Sequence, residues 1–251
     1  MNEPRSSTGR IDDVLRSPDS AAGRVGIHDA LRRSALFTSC ADDVLDLVVD
    51  ASRVRSLPRN ALVLLEGDRP DSMFVVVDGL LRVFTTALDG SEPTLTVLLP
   101  GDHVGELGVL QSTTRSASVA SLRPSTVIEV PGRTLTLASE RDPSISRAMI
   151  DQLASRLRST STRLTDLTIL DLGARVAKYL ASEMVDSGSA ATVPFVDLVF
   201  TQSELGQLLG GARQSINQEL STLERDGMIR VRRRRVEILD PAGLRRRATS
   251  S

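Results

Sequence analysis

The chain has 251 residues, 40% of them hydrophobic and 25% charged, with a formal net charge of −1; this length allows one large or two small domains, and the composition excludes disorder over most of it. A single cysteine, Cys40, excludes an internal disulfide and a Cys-rich iron–sulfur or zinc site, while His28 and His103 are too few and too distant in sequence for metal-ligand spacing. No apolar run approaches the roughly twenty residues of a spanning helix and none near Met1 resembles a signal peptide, so a cytoplasmic protein with no membrane partner is expected.

Residues 1–26, with scattered Ser, Gly, Pro and Arg and no sustained period, read as a flexible arm. Ile27 to Phe37 and Asp42 to Ala51 read as short helices, the second opening on two acids that suit a helix N-terminus. From Ser56 the texture changes. Strand-length apolar runs follow at Leu62–Leu65, Met73–Val77, Leu80–Thr85, Leu95–Leu99, Val119–Leu122 and Thr126–Val130, separated by turn residues such as Glu66-Gly67-Asp68, Asp78-Gly79 and Pro100-Gly101-Asp102. That rhythm predicts an antiparallel sandwich or rolled barrel, and the lack of βαβ alternation excludes a dinucleotide-binding fold.

Between the runs Leu95–Leu99 and Val119–Leu122 lie Gly105-Glu106-Leu107 and, after small polar residues, Arg115-Ser116-Ala117. A carboxylate, a guanidinium, a hydroxyl and a glycine-freed backbone in one turn-rich segment fit a sugar phosphate. Arg115 matches phosphate oxygens with its planar fork, Ser116 and exposed amides add hydrogen bonds, and Glu106 accepts from ribose hydroxyls. The alternative is that Glu106 and Arg115 simply pair with each other across a loop.

At Asp142-Pro143 the period switches, with Asp142 suited to an N-cap and Pro143 to the first helical position, and a helical pattern runs to about Leu170. Ile150, Leu153, Leu157, Thr160, Leu164 and Leu167 recur in steps of three and four, bordered by Arg156, Arg158 and Arg163. This narrow a/d stripe predicts a parallel homodimer through residues 142–171. Thr160 and Ser161 break the seam with a polar pair that needs a register role or a hydrogen-bonding partner.

Leu170 to Gly173 reads as a hinge in which Asp171 caps the next helix, Arg175 to Val185 as that helix, and Asp186 to Ala191 as a loop. Thr201-Gln202-Ser203-Glu204 is a capping box opening a short helix that ends at Gly210-Gly211, and a second helix, about Arg213 to Asp226, follows within three residues. Gly206 permits close approach of the two, so the spacing is that of a helix-turn-helix whose outer face carries Arg213, Gln214, Ser215, Asn217 and Gln218. Met228–Val231 and Val236–Leu239 flank Arg232, Arg233, Arg234 and Arg235 and predict a two-stranded wing with a basic tip. With Arg245 to Arg247 these arginines give the C-terminal end a positive charge that the net value hides, and that suggests phosphate contact. Because Lys178 is the only lysine, arginine identity alone adds little.

Sensor roll, dimer helix and winged helix in this order resemble the cAMP receptor protein/FNR superfamily of bacterial transcription regulators over about residues 27–240. The resemblance rests on Glu66-Gly67-Asp68, Asp78-Gly79-Leu80-Leu81-Arg82-Val83, Pro100-Gly101-Asp102, Gly105-Glu106-Leu107, Arg115-Ser116-Ala117, Leu170-Asp171 and Gln202 through Glu224. It implies that Arg115 and Ser116 hold a cyclic phosphate, that Glu106 takes the ribose 2′-hydroxyl, that Thr160 and Ser161 hold adenine at the dimer seam, and that Arg213 reads guanine. Cys40 alone rules out the cysteine cluster of the redox-sensing branch, and a haem would need axial ligands beyond His103. Gln214 and Gln218 stand where the enteric cAMP receptor has Glu and Arg, and Ala212 where the family usually has a Ser cap, so an operator other than TGTGA is expected.

The expected fold class is α+β, with an arm over 1–26, an antiparallel, jelly-roll-like cyclic-nucleotide-binding β-roll over 27–141, a dimerisation helix and hinge over 142–171, and a winged helix-turn-helix over 172–251. The expected function is a homodimeric regulator without catalytic activity. Its effector would be cAMP, with cGMP or no ligand as alternatives, and its partners double-stranded DNA and RNA polymerase. Effector contacts are assigned to Gly105, Glu106, Leu107, Arg115, Ser116, Thr160 and Ser161. DNA contacts are assigned to Thr201, Gln202, Arg213, Gln214, Ser215, Asn217, Gln218 and Arg232 to Arg235. No metal, haem or iron–sulfur cluster is expected. A regulator whose pocket is degenerate, and a nucleotide-buffering module without DNA function, are the other readings.

Overall fold

The computed structural model describes residues 21–185, 193–233 and 235–249, and the chain divides after Arg156 into two compact units. The expected arm over residues 1–20, the loop from Asp186 to Ala191 and Arg234 lie outside the described residues. Residues 21–26 do not belong to an arm, because helix α1 (Ala21–Arg33) already includes them. Its Ile27, Ala30 and Leu31 face is buried, and an Arg24–Asp50 ion pair ties its first turn to the end of helix α2 (Asp42–Ala51).

Two four-stranded antiparallel sheets follow. One has the order β1 (Arg53–Leu57), β8 (Ser125–Pro131), β3 (Ser72–Asp78), β6 (His103–Val104); the other has β2 (Leu62–Leu64), β7 (Ser118–Ser121), β4 (Leu81–Phe84), β5 (Thr94–Leu98). Side chains alternate across a strand, and β3 uses both faces. Phe74 and Val76 join Leu57, Leu64, Leu81, Leu98, Val119 and Val127 between the sheets, while Met73 and Val75 point outward to a helical layer. That layer is α1, α2, helix α4 (Gly132–Arg141) and the start of helix α5 (Pro143–Ile169), which contributes Ile145 and Met149. The jelly-roll-like architecture is as expected from the turn rhythm. The segment after Gly105, expected as a loop, instead holds helix α3 (Glu106–Gln111), and α4 has no counterpart in the sequence reading.

In the second unit Asp171 caps helix α6 (Leu172–Ser182) by accepting from the Ala174 amide at 2.7 Å. A three-stranded sheet, ordered β10 (Ile229–Arg232), β11 (Arg235–Ile238), β9 (Phe195–Asp197), packs with α6, helix α7 (Gln202–Leu209), helix α8 (Arg213–Arg225) and helix α9 (Pro241–Arg247) around Val176, Leu180, Leu205, Ile216, Leu220 and Val236. The capping box forms as its sequence dictates: the Glu204 amide donates to the Thr201 hydroxyl and the Thr201 amide to Glu204 Oε2. Gly210 ends α7 at φ 70°. A Cβ on Gly206 would lie 2.4 Å from the Gly211 carbonyl oxygen, so only glycine lets the turn close over α7.

Candidate functional site

In the first unit the structure gathers Gly105, Glu106, Leu107, Arg115 and Ser116 around one cavity of about 120 Å³, together with Arg156 from α5. Gly105, at φ 92°, caps α3 and turns Glu106 inward; a Cβ on it would sit 2.8 Å from Arg115 Nη1. Arg115 is buried and donates to the Gly105 carbonyl at 2.8 Å and the Ser72 carbonyl at 2.6 Å, with Asp71 3.5 Å away. Ser116 next to it is exposed. Glu106 and Arg115 do not pair with each other.

Glu106 pairs instead with Arg156, whose Nη1 donates to Oε1 at 2.8 Å while Nη2 donates to the His103 carbonyl. The carboxylate is 1% exposed, and its other oxygen, Oε2, has no partner. Burial raises the Glu106 pKa, and Arg156 and Arg115 oppose that shift only in part. The Arg115 guanidinium is shifted down by burial, against the pull of Asp71, Asp68 and Glu106. His103, 4.0 Å from Glu106 Oε1 through Nε2 and equally buried, is pushed down to about 3 by burial and by Arg156, so it is neutral. The site therefore presents a buried acceptor and a buried guanidinium, each desolvated before anything binds, an arrangement suited to a polar anionic ligand.

Arg156 was missed in the sequence, where it reads as one of the charges bordering the apolar stripe. A buried carboxylate needs a countercharge, and that requirement was the available signal. Thr160 and Ser161 lie one turn and more beyond Arg156 on α5, in the second unit, and both are exposed. Of the predicted stripe, Ile150, Leu157, Leu164 and Leu167 are exposed, whereas Leu153 packs on the sensor core and so is not available to a seam in full.

On the second unit Arg213, Gln214, Asn217 and Gln218 are exposed along α8, with Ser215 half-buried and Thr201 exposed at the start of α7. Gln202 Nε2 donates to Asn217 Oδ1 at 3.0 Å, tying the two helices together at this face. Ala212 begins α8 without a side-chain cap, leaving the first amides of the helix open. The wing strands include Arg232 and Arg235 as a register pair, and Arg233 turns at φ 47°. Arg235 does not extend from a tip. It bridges Asp197 on β9 through Nε at 2.8 Å and Nη2 at 3.3 Å and lies over the Phe195 ring at 3.9 Å.

A cyclic nucleotide-binding domain family matches residues 54–142, and a Crp-like helix-turn-helix domain family matches residues 174–247. The chain is 30% identical over 226 residues to a CRP-like cAMP-activated global transcriptional regulator of Mycobacterium tuberculosis, covering 88% of this chain and all of that protein. It is 27% identical to the cyclic AMP receptor protein of Thermus thermophilus, over 84% of this chain and 95% of that one. Among solved structures, the c-di-GMP responsive regulator of Xanthomonas campestris shares the fold, with a TM-score of 0.63 at 23% identity over 79% of this chain and 99% of that one. No group of His, Cys, Asp and Glu that could hold a metal ion occurs among the described residues, and no described helix is long and apolar enough to cross a membrane.

Proposed function

This chain belongs to the cAMP receptor protein/FNR family of DNA-binding transcription regulators, which are not enzymes, and from that premise we propose that it is a cytoplasmic homodimer whose operator affinity is set by cAMP bound in the sensor unit. The observation that carries the reading is the buried, unpartnered Oε2 of Glu106 in the same cavity as Arg115. A ribose hydroxyl gives that oxygen the donor it lacks, and a cyclic phosphate gives the Arg115 guanidinium an anion. The relatives named as cAMP-activated support this choice of nucleotide.

The cavity is smaller than the roughly 300 to 1,000 Å³ usual for ligand sites, so a nucleotide must widen it. The side chain with most to yield is Arg156, a third exposed and bonded to both Glu106 and His103. Because Arg156 belongs to α5, ligand entry acts directly on the helix that carries Leu157, Leu164 and Leu167, the stripe available to a second copy. A ligand shifts such an equilibrium by its differential affinity for the two states. Thr160 and Ser161 would then meet the adenine at the seam, and α8 with Arg232 and Arg233 would meet the two half-sites of a symmetric operator, with RNA polymerase as a further partner. Isothermal titration with cAMP and cGMP, then gel shifts with and without ligand, test this. Saturable cAMP binding that changes operator affinity is the expected result. Unchanged DNA affinity with no cAMP binding would favour the degenerate-pocket reading instead.

A further inference from the structure

The C-terminal half of α5 lines a second cavity, of about 490 Å³, with α6 and α7 as its other walls. Its apolar lining comes from Leu167, Leu208, Leu209 and the ring of Tyr179, which is itself braced at 6.3 Å by Phe200. Four cations, Arg158, Arg163, Arg175 and Lys178, share it with one carboxylate, Asp166. Asp166 neutralises Lys178 at 2.6 Å, while Arg158 and Arg175 add positive charge to the lining. Burial depresses the Arg163 pKa.

We infer that this cavity is a second ligand site, separate from the sensor pocket, for an organic anion with a flat apolar body. Its volume falls within the range of about 300 to 1,000 Å³ for small-molecule pockets, and an apolar floor with a few convergent charges is their usual make-up. Leu167 is shared with the exposed stripe, but association through Leu157 and Leu164 leaves the far side of the cavity open. At about 100° per residue, Asp166 lies on the side of α5 opposite Leu157, and Ser159 and Thr162 flank it there.

The site also has a route to the DNA-binding face. Arg175 donates to the Leu209 carbonyl and, at 3.4 Å, to the Gly210 carbonyl, so it holds the turn from α7 into α8. An anion that draws Arg175 toward itself competes with that clamp and re-sets α8. The binding claim is independent of cAMP; the coupling claim rests on the regulator reading.

The test uses the full chain with 1-naphthyl phosphate as probe, and 1-naphthol and inorganic phosphate as half-probes. Calorimetry should show saturable binding of 1-naphthyl phosphate to the wild type and to Arg115→Ala alike, with both half-probes at least tenfold weaker. Arg163→Gln, which removes charge, and Ser159→Trp, which fills the cavity from an exposed position, should each weaken it at least tenfold while circular dichroism stays native. Absence of saturable binding, loss of binding in Arg115→Ala, or wild-type affinity in both cavity variants would overturn the assignment. Saturating probe should change operator Kd at least threefold in a gel shift; an unchanged Kd would overturn the coupling.

Discussion

Arg156→Ala exposes the electrostatic logic of the sensor pocket, because it removes the direct partner of a carboxylate that is 1% exposed. Breaking a buried ion pair from one side costs about 3 to 5 kcal/mol. Here Arg156 is a third exposed and Arg115 still attracts Glu106, so about 2 kcal/mol is the fitting figure, equivalent to a Tm lower by about 4 to 8 °C in a chain of this size. The loss must depend on pH. The folded pKa of Glu106 lies above its ordinary 4.5, so the stability linked to its proton is complete below that value and is lost as pH rises through the folded pKa. Deleting Arg156 raises the folded pKa further, so the variant should be nearly as stable as wild type near pH 4.5 and fall behind as pH rises toward 8. His103 acts in the same direction: relieved of Arg156, the buried imidazole is less strongly disfavoured as a cation, which narrows the deficit at low pH. Thermal melts by circular dichroism across this range, on the wild type, Arg156→Ala and Arg156→Ala/Glu106→Gln, read the effect. A Tm deficit that is flat with pH, or one that Glu106→Gln fails to reduce at pH 8, would refute the reasoning.

Arg115→Ala should weaken cAMP binding at least roughly tenfold in calorimetry, since it removes a buried charge-assisted donor. Arg213→Ala should relax preference at one G·C pair per half-site by about 1 to 3 kcal/mol, read by in-vitro selection of operators. The wing arginines should separate. Arg232→Ala with Arg233→Ala should flatten the salt dependence of DNA binding, while Arg235→Ala, which breaks the Asp197 bridge and uncovers Phe195, should lower Tm and leave the salt slope nearly unchanged.

The regular elements were legible where local chemistry decides them: the capping box at Thr201, the Gly210 stop, and the strands between Gly and Pro turns. What stayed hidden was short or ambiguous. Helix α3 is six residues with a glycine inside, too brief for a 3.6-residue period to show, and β9 is three residues, visible only through its pairing with β11. Helix α4 contains Thr134-Leu135-Thr136-Leu137, an alternation that mimics a strand, but Leu135 and Ala138 are buried while Leu137 is exposed, a spacing that selects the helix. The site residues of the sensor segment were legible as a cluster; their partners were not. Glu106 meets Arg156 from 50 positions away, and Arg235 turns from its expected solvent position to Asp197 because an unused carboxylate and an aromatic ring lie across the strand.

The sheet order has a consequence for how the chain is made. Every residue of β1 pairs with β8, Arg53 with Glu129 and Leu57 with Ser125, so the first strand has no neighbour until a stretch of roughly 70 further residues has been synthesised. At about 5 to 20 residues per second that wait is on the order of several seconds, during which the apolar faces of β3 and β4 lack their second sheet partners. The wing hairpin, whose Val231 meets Val236, closes almost as soon as it is made. The nascent sensor is therefore the half of this protein whose apolar strand faces wait longest for their partners, and slow codons placed after β8 would favour its correct closure before α5 is released.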